Sequence, residues 1–361
     1  NAFLRVYDIP VMYFPKFFHP DPGVKRRSGF LMPTIKNSAN SDSYLNTPYF
    51  FAIAENKDAT FSPRMFADDK ILFQTEYRQV NSKSNHNVDF SLFAEKNENS
   101  KNHFFYKYDK SIDLDNFEYG LIDLKIQKTS NDTYLKTNKI KTEIIADNNI
   151  LENSLGLNLY SNDMKKDFNT IVYEDLSKDK SDRFEYILPK INLVKKIDYT
   201  RLNGNFSFKS QGLVRNYDTN RFEKTNINDL IFSSYPKITK LGFYNNFEVL
   251  VKNSNTDTQN SKNFKEDENI YLSSLIQYNS SLPLIKDNEN YQKILKPRLS
   301  LKFAPTHTKD NKNGSKRIDV NNIYSINRTV DDDTTEGGVS LAYGSDYSLF
   351  NKEKSREILN F

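Results

Sequence analysis

The chain has neither cysteine nor tryptophan among its 361 residues. The first absence excludes disulfide frameworks, thiolate metal sites and cysteine nucleophiles. Histidine is scarce: His19, His86, His103 and His307 are far apart, and no two have the spacing of metal ligands. Nor is there an excess of charge. With 51 Lys and Arg against 47 Asp and Glu, the net charge of +4 gives no reason to expect a nucleic-acid partner. Long apolar runs are missing too: the longest, Tyr49 to Ala54, has six residues, whereas a membrane-spanning helix needs about 20. The opening Asn1 to Pro10 lacks a basic region followed by an apolar core, so it does not read as a secretory leader. The sequence reads as a stretch of a longer protein.

Aromatics are abundant, 22 Tyr and 27 Phe, in a chain whose mean hydropathy is −0.73. Disordered chains are polar but poor in aromatics. Two folded classes fit the combination. A transmembrane β-barrel is polar on average because half of each strand faces a wet lumen, while its lipid face and interfacial girdles supply aromatics. A soluble all-β protein with long Asn-rich loops fits as well.

Seven of the twelve prolines fall in the first 63 residues: Pro10, Pro15, Pro20, Pro22, Pro33, Pro48 and Pro63. Proline has no amide donor and belongs at strand starts, edges and bulges. The apolar stretch Val11 to Phe18, punctuated by Pro15, suggests short strands. His19-Pro20-Asp21-Pro22-Gly23 is dense in turn formers, and the basic step Lys25-Arg26-Arg27 follows. A domain boundary is placed near residue 27.

Beyond it, period-2 alternation recurs. In Ile71 to Gln79, Ile71, Phe73, Thr75 and Tyr77 share one face, and Gln74, Glu76 and Arg78 the other. In Asn87 to Glu95, Val88, Phe90, Leu92 and Ala94 oppose Asp89, Ser91, Phe93 and Glu95. Leu299, Leu301 and Phe303 oppose Arg298, Ser300 and Lys302. Phe243, Phe247, Val249 and Val251 share a face, with Asn245 the exception. Alternation of this kind marks strands with one apolar and one polar side. The polar side suits a lumen or a solvated sheet surface equally. Polar linkers are expected over 97–102, 253–269 and 308–315.

Convincing catalytic chemistry is not evident. Asp331-Asp332-Asp333 lacks the spacing of a calcium loop and reads as a solvated acidic loop. Gly337-Gly338 lacks a phosphate-cradling pattern, and the histidines and carboxylates form no arguable nucleophile–base set. The chain is not read as an enzyme; no metal or other cofactor is expected.

The segment Pro10 to Pro33, containing Pro20-Asp21-Pro22 and Val24-Lys25-Arg26-Arg27-Ser28-Gly29-Phe30-Leu31-Met32-Pro33, closely resembles the LptD family of LPS-assembly outer-membrane proteins. The resemblance continues through Thr47-Pro48-Tyr49-Phe50-Phe51-Ala52-Ile53-Ala54, where Phe51 replaces a usual Trp, and Lys57-Asp58-Ala59-Thr60-Phe61-Ser62-Pro63-Arg64. Leu72 to Gln79 is similar to the strand that follows. Asn322-Ile323-Tyr324-Ser325-Ile326-Asn327-Arg328 and Glu336-Gly337-Gly338 resemble a later family pattern.

The resemblance implies an all-β fold: the last strands of a periplasmic β-jellyroll over residues 1–27, then an incomplete antiparallel transmembrane β-barrel over 28–361. It implies an outer-membrane location with a periplasmic N-terminal portion, and transport and assembly of lipopolysaccharide into the outer leaflet. The implied partners are lipopolysaccharide, outer-membrane lipid, an LptE-like plug lipoprotein and an LptA-like periplasmic bridge protein. Pro20, Asp21, Pro22, Lys25, Arg26, Arg27, Ser28, Gly29 and Phe30 correspond to the jellyroll–barrel junction. Pro33 and Pro48 correspond to prolines of a lateral gate in the first two barrel strands; each removes a ladder donor. Gln74, Glu76 and Arg78 are assigned to the lumen. A generic outer-membrane porin or transporter and a soluble adhesin-like β protein are the alternatives.

Overall fold

The structure, a computed structural model, describes residues 2–6, 9–14, 26–37, 43–67, 69–264, 266–306, 318–329, 333–353 and 356–360. It is an all-β antiparallel barrel fold. Among the described residues no helix is long and apolar enough to cross a membrane, which says nothing of strands. Two compact units divide the chain: Asn1–Lys110 with Leu124–Leu151, and Ser111–Asp123 with Glu152–Phe361.

In the first unit, β1 (Ala2–Val6) and β2 (Ile9–Phe14) pair only with each other. Pro20, Asp21, Pro22 and Lys25 of the expected junction lie outside the described residues. The short pieces β3 (Gly29–Phe30), β4 (Thr34–Lys36), β5 (Tyr44–Asn46) and β6 (Tyr49–Ala54) follow. Long strands come next: β7 (Lys57–Phe66), β8 (Lys70–Val80), β9 (Ser84–Glu95), β10 (Lys101–Leu114) and β11 (Phe117–Thr129). The connector 130–149 contains one helical turn, α1 (Tyr134–Thr137).

Further strands are β12 (Ile150–Tyr160), β13 (Met164–Asp175), β14 (Phe184–Tyr199), β15 (Gly204–Tyr217) and β16 (Phe222–Ser234). Then come the short β17 (Lys237–Ile238), β18 (Tyr244–Gln259), β19 (Asn269–Ser281) and the short β20 (Leu284–Asp287). The last are β21 (Tyr291–Ala304), β22 (Gly338–Asn351) and β23 (Arg356–Asn360). From β13 onward the long strands form an antiparallel meander in chain order.

The side chains are distributed inside out relative to a soluble sandwich. In the second unit Thr225, Lys252, Ser254, Thr256, Ser273, Gln277, Ser300 and Lys302 are buried. On the opposite face of these strands Phe247, Ile270, Leu272, Ile276, Leu301 and Phe303 are exposed, Leu272 at 65% and Ile270 at 79%. The register accounts for the sorting. Lys302 stands opposite Gln277 and Ser300 opposite Asn279, while Phe303 stands opposite Ile276 and Leu301 opposite Tyr278, so successive pairs alternate between a polar and an apolar face. An apolar surface of this extent in water is an association hazard; against hydrocarbon it is the favourable side of a transmembrane strand.

Aromatics gather at the strand ends joined by short turns. His86, Tyr106 and Tyr108 cluster beside the 81–83 turn in the first unit. In the second, Tyr119 meets Tyr160 beside the 161–163 turn, and Tyr199, Phe206 and Phe232 meet beside residues 200–203. Within each unit, rings gathered beside such turns are of the kind that sit at a membrane interface.

Two sequence boundaries are corrected. The linker expected over 253–269 is strand as far as Gln259, and the one expected over 97–102 gives way to strand at Lys101. Asn253 to Gln259 shows no apolar alternation because both faces are polar, and ladder pairs such as Asn226 with Asn255 hold it in the sheet. The linker expected over 308–315 lies outside the described residues.

Candidate functional site

Proline placement shapes the start of the first unit. Pro33 separates β3 from β4, and Pro48 separates β5 from β6. β3 pairs with β6 over two residue pairs and β4 with β5 over three, so two neighbouring staves are interrupted at the same height. Across the gap, Leu31 N–H donates to the Pro48 carbonyl at 2.8 Å. Elsewhere the same wall is fully laddered: β8 and β9 pair from Lys70 opposite Glu95 to Val80 opposite Asn85. Phe30, Met32 and Ile35 around the broken stave are strongly exposed. Each proline stands immediately before the next strand piece, Pro33 before Thr34 and Pro48 before Tyr49.

Beside these staves an ionic relay ties the basic step to β8. Asp58, 3% exposed on β7, receives Arg78 Nε at 2.8 Å and Arg26 at 2.9 Å. Arg26 also lies over the Phe50 ring, and Ser28 Oγ accepts the Ala52 amide at 2.9 Å. Arg27, Ser28 and Phe30 are exposed, and Gly29 is half-buried in β3. Thus Arg26 and Arg78, separated by 52 positions, share one carboxylate that the sequence reading did not single out. Its signal is the Lys57-Asp58-Ala59-Thr60 stretch.

Gln74, Glu76 and Arg78 share a face with Asp58 and Asp89, since β8 pairs Glu76 with Thr60 and Asp89, and Arg78 with Asp58. The 130–149 connector covers part of this face. Gln74 Nε2 donates to both oxygens of Asp89 at 3.1 Å and to the Lys141 carbonyl at 3.0 Å. Arg64 donates to the Asn138 carbonyl at 2.5 Å. Tyr134 and Leu135 of α1 are buried.

Under that cover, Ser91 Oγ lies 2.5 Å from His103 Nδ1, and His103 Nε2 lies 3.1 Å from Asp89 Oδ1. The order of groups matches a serine–histidine–carboxylate triad. All three residues are buried, and Ser91 Oγ is also 2.7 Å from the Tyr134 hydroxyl, so no substrate carbonyl reaches it. The set is a structural relay fastening α1 to β9 and β10. Burial pushes the Tyr134 hydroxyl above its ordinary pKa, with the Ser91 hydrogen bond opposing. The sequence reading missed the set because Asp89 and His103 meet only through the β9–β10 register, which sets His103 opposite Ser91.

In the second unit, residues 318–329 and 333–337 cover the polar face of β19 and β21. Gln277 Nε2 donates to the Tyr324 carbonyl at 2.8 Å, and Lys302 Nζ to the Ser325 carbonyl at 2.6 Å. Lys302 also pairs with Glu336, which receives Arg328 Nε at 3.0 and 2.8 Å. Ile326 packs against buried Leu250, Leu275 and Ala304, and Arg298 stacks over Tyr324 at 4.0 Å. The two motifs Asn322–Arg328 and Glu336–Gly338 are therefore the halves of one clasp. Asp333 is buried within it, which corrects the expectation of a solvated acidic loop; Asp331 and Asp332 lie outside the described residues. Among the described residues no cluster of His, Cys, Asp and Glu could hold a metal ion.

A sequence profile of the family described as LptD, LPS transport system D, matches residues 101–361. Among curated proteins, the LPS-assembly protein LptD of Pseudomonas syringae pv. syringae is 36% identical over 119 residues, 33% of this chain and 12% of its own. That of Pseudomonas entomophila is 27% identical over 242 residues, 64% of this chain and 24% of its own. The chain spans between about a tenth and a quarter of the length of such relatives. Among solved structures, a bacterial polysaccharide outer membrane secretin matches at 9% identity and a TM-score of 0.30, over 85% of this chain and 89% of that one, too weak a likeness to argue from.

Proposed function

The chain belongs to the LptD family, and on that premise we propose that it contributes to a lipopolysaccharide-inserting barrel wall whose lateral gate is the stave pair broken at Pro33 and Pro48. An outer-membrane barrel must satisfy its backbone hydrogen bonds internally, since each unsatisfied group in lipid costs several kcal/mol. A seam that opens for a lipid therefore needs fewer bonds to break than its neighbours. The observation that carries the reading is the interruption of both first staves at one height, leaving two and three residue pairs between them. Exposed Phe30, Met32 and Ile35 supply an apolar lip along which acyl chains slide into the membrane.

On this reading the polar face bearing Gln74, Glu76 and Arg78 lines the lumen through which the sugars pass, and β1–β2 belongs to a periplasmic jellyroll domain ending near residue 27. The work is transport and assembly rather than catalysis. Partners of the whole protein are lipopolysaccharide, an LptE-like plug lipoprotein and an LptA-like periplasmic bridge. The inverted faces argue against a soluble adhesin-like protein, and family membership against a generic porin.

The test replaces Pro33 and Pro48 together by Ala in the full-length protein, with a photo-crosslinking residue at Ile35. Each restored amide that finds an acceptor is worth about 0.5–1.5 kcal/mol, so two reduce seam opening roughly 5- to 150-fold. Crosslinking of lipopolysaccharide at the seam falls accordingly; transfer at the unaltered rate rejects the gate.

A further inference from the structure

A cavity of about 220 Å³ lies in the first unit, between the ends of β4, β7 and β9, the starts of β5, β8 and β10, and the 130–149 connector. Five cations line it, Lys36, Arg64, Lys70, Lys101 and Lys139, against a single carboxylate, Glu95. Glu95 lies 3.5 Å from Lys70, and Lys101 lies 3.4 Å from Glu98. Among the described residues neither Arg64 nor Lys139 has a carboxylate partner. Arg64 is instead braced by the Asn138 carbonyl and by the Tyr44 ring, 4.7 Å from its guanidinium carbon. Its Nε is buried without an acceptor.

A guanidinium held in place without a carboxylate, near a second cation that also lacks one, is arranged for an incoming anion. Phosphate suits the planar fork and the surrounding point charges. The space exceeds what a bare phosphate fills, holding about seven waters' worth of volume at roughly 30 Å³ each. Its walls also carry the rings of Tyr44, Phe66 and Phe93 and the polar side chains of Asn131, Thr133 and Asn138, with Thr133 Oγ1 donating to Asn131 Oδ1 and Asn138 Nδ2 to the Tyr134 carbonyl. Rings and amides around a cationic floor fit a sugar carrying the anion.

We propose that this cavity is a binding subsite for the phosphate group of a phosphorylated saccharide. The inference deepens the transport reading and rests on it for its setting, since lipopolysaccharide is an anionic glycolipid; the gate prolines are not part of the cavity.

The test is calorimetric titration of the full-length protein in detergent micelles with glucose 6-phosphate, glucose, inorganic phosphate and glucuronate, comparing wild type with Arg64→Gln and Lys139→Glu. Lys139 is exposed on the connector, so its variant remains informative should the Arg64 variant fail to show the heat-modifiable gel mobility of a folded barrel. Glucose 6-phosphate is expected to bind more tightly than the other three, to weaken as salt is raised, and to lose about tenfold or more in affinity in each variant that folds. Unchanged binding in Lys139→Glu, or glucose binding equally well, overturns the site. Inorganic phosphate binding as tightly as the sugar phosphate overturns the saccharide, and tighter glucuronate binding overturns the phosphate. A blocked seam in Pro33→Ala/Pro48→Ala leaves this equilibrium untouched, so the two readings fail separately.

Discussion

Glu336→Gln unfastens the clasp over β19 and β21. Glu336 neutralises two cations at once, Lys302, 3% exposed, and Arg328. Removing its charge leaves the two cations facing each other with no anion between them. Breaking a buried pair in this way costs about 3–5 kcal/mol. The Glu336 side chain is 17% exposed, so the lower end applies, about 3 kcal/mol, or roughly a hundredfold in the open population. Ile326, which packs on Leu250, Leu275 and Ala304, reports on opening. The chain has no cysteine of its own, so Ile326→Cys places one thiol in it, to be labelled with a membrane-impermeant maleimide in proteoliposomes of the full-length protein. Comparing Ile326→Cys with Ile326→Cys/Glu336→Gln cancels the effect of the probe. The labelling rate should rise by between one and two orders of magnitude, and Glu336→Asp should fall between. Equal rates with and without Glu336→Gln would refute the charge-held clasp.

Two further outcomes follow from the same physics. Asp58→Asn strips the shared partner from Arg26 and Arg78; since both arginines are more than a third exposed, the cost is limited to about 1–2 kcal/mol. It should appear as a drop of a few degrees in the temperature at which the folded gel mobility is lost, and an unchanged temperature contradicts the relay. Leu272→Lys puts a charge on the bare face at a cost of about 2–4 kcal/mol if the site lies near the bilayer midplane. Assembly yield into liposomes should fall sharply, whereas a neutral outcome would mean that this face meets water.

Much of the architecture was legible in residue order, because a strand's side chains alternate and one face must differ from the other. Ile71 to Gln79, Asn87 to Glu95 and Leu299 to Phe303 all fall within strands of the expected facing. Composition narrowed the class, and the segments around Pro33, Pro48 and Asn322 to Gly338 carried the family resemblance. Alternation failed where both faces are polar, as in Asn253 to Gln259, because the pairing there is carried by backbone bonds alone.

Sequence by itself determined the strand character and the shared faces of segments whose two sides differ, such as Ile71 to Gln79 and Asn87 to Glu95, since those depend on near neighbours. Only tertiary structure decided who meets across that face. Asp58 joins Arg26 to Arg78, Ser91 and Asp89 flank His103, and Glu336 closes on Lys302, each through strand register or a folded-back connector that brings distant positions within hydrogen-bond reach. Charges become partners by separation in space, and in a β fold that separation is set by register, which no local pattern encodes.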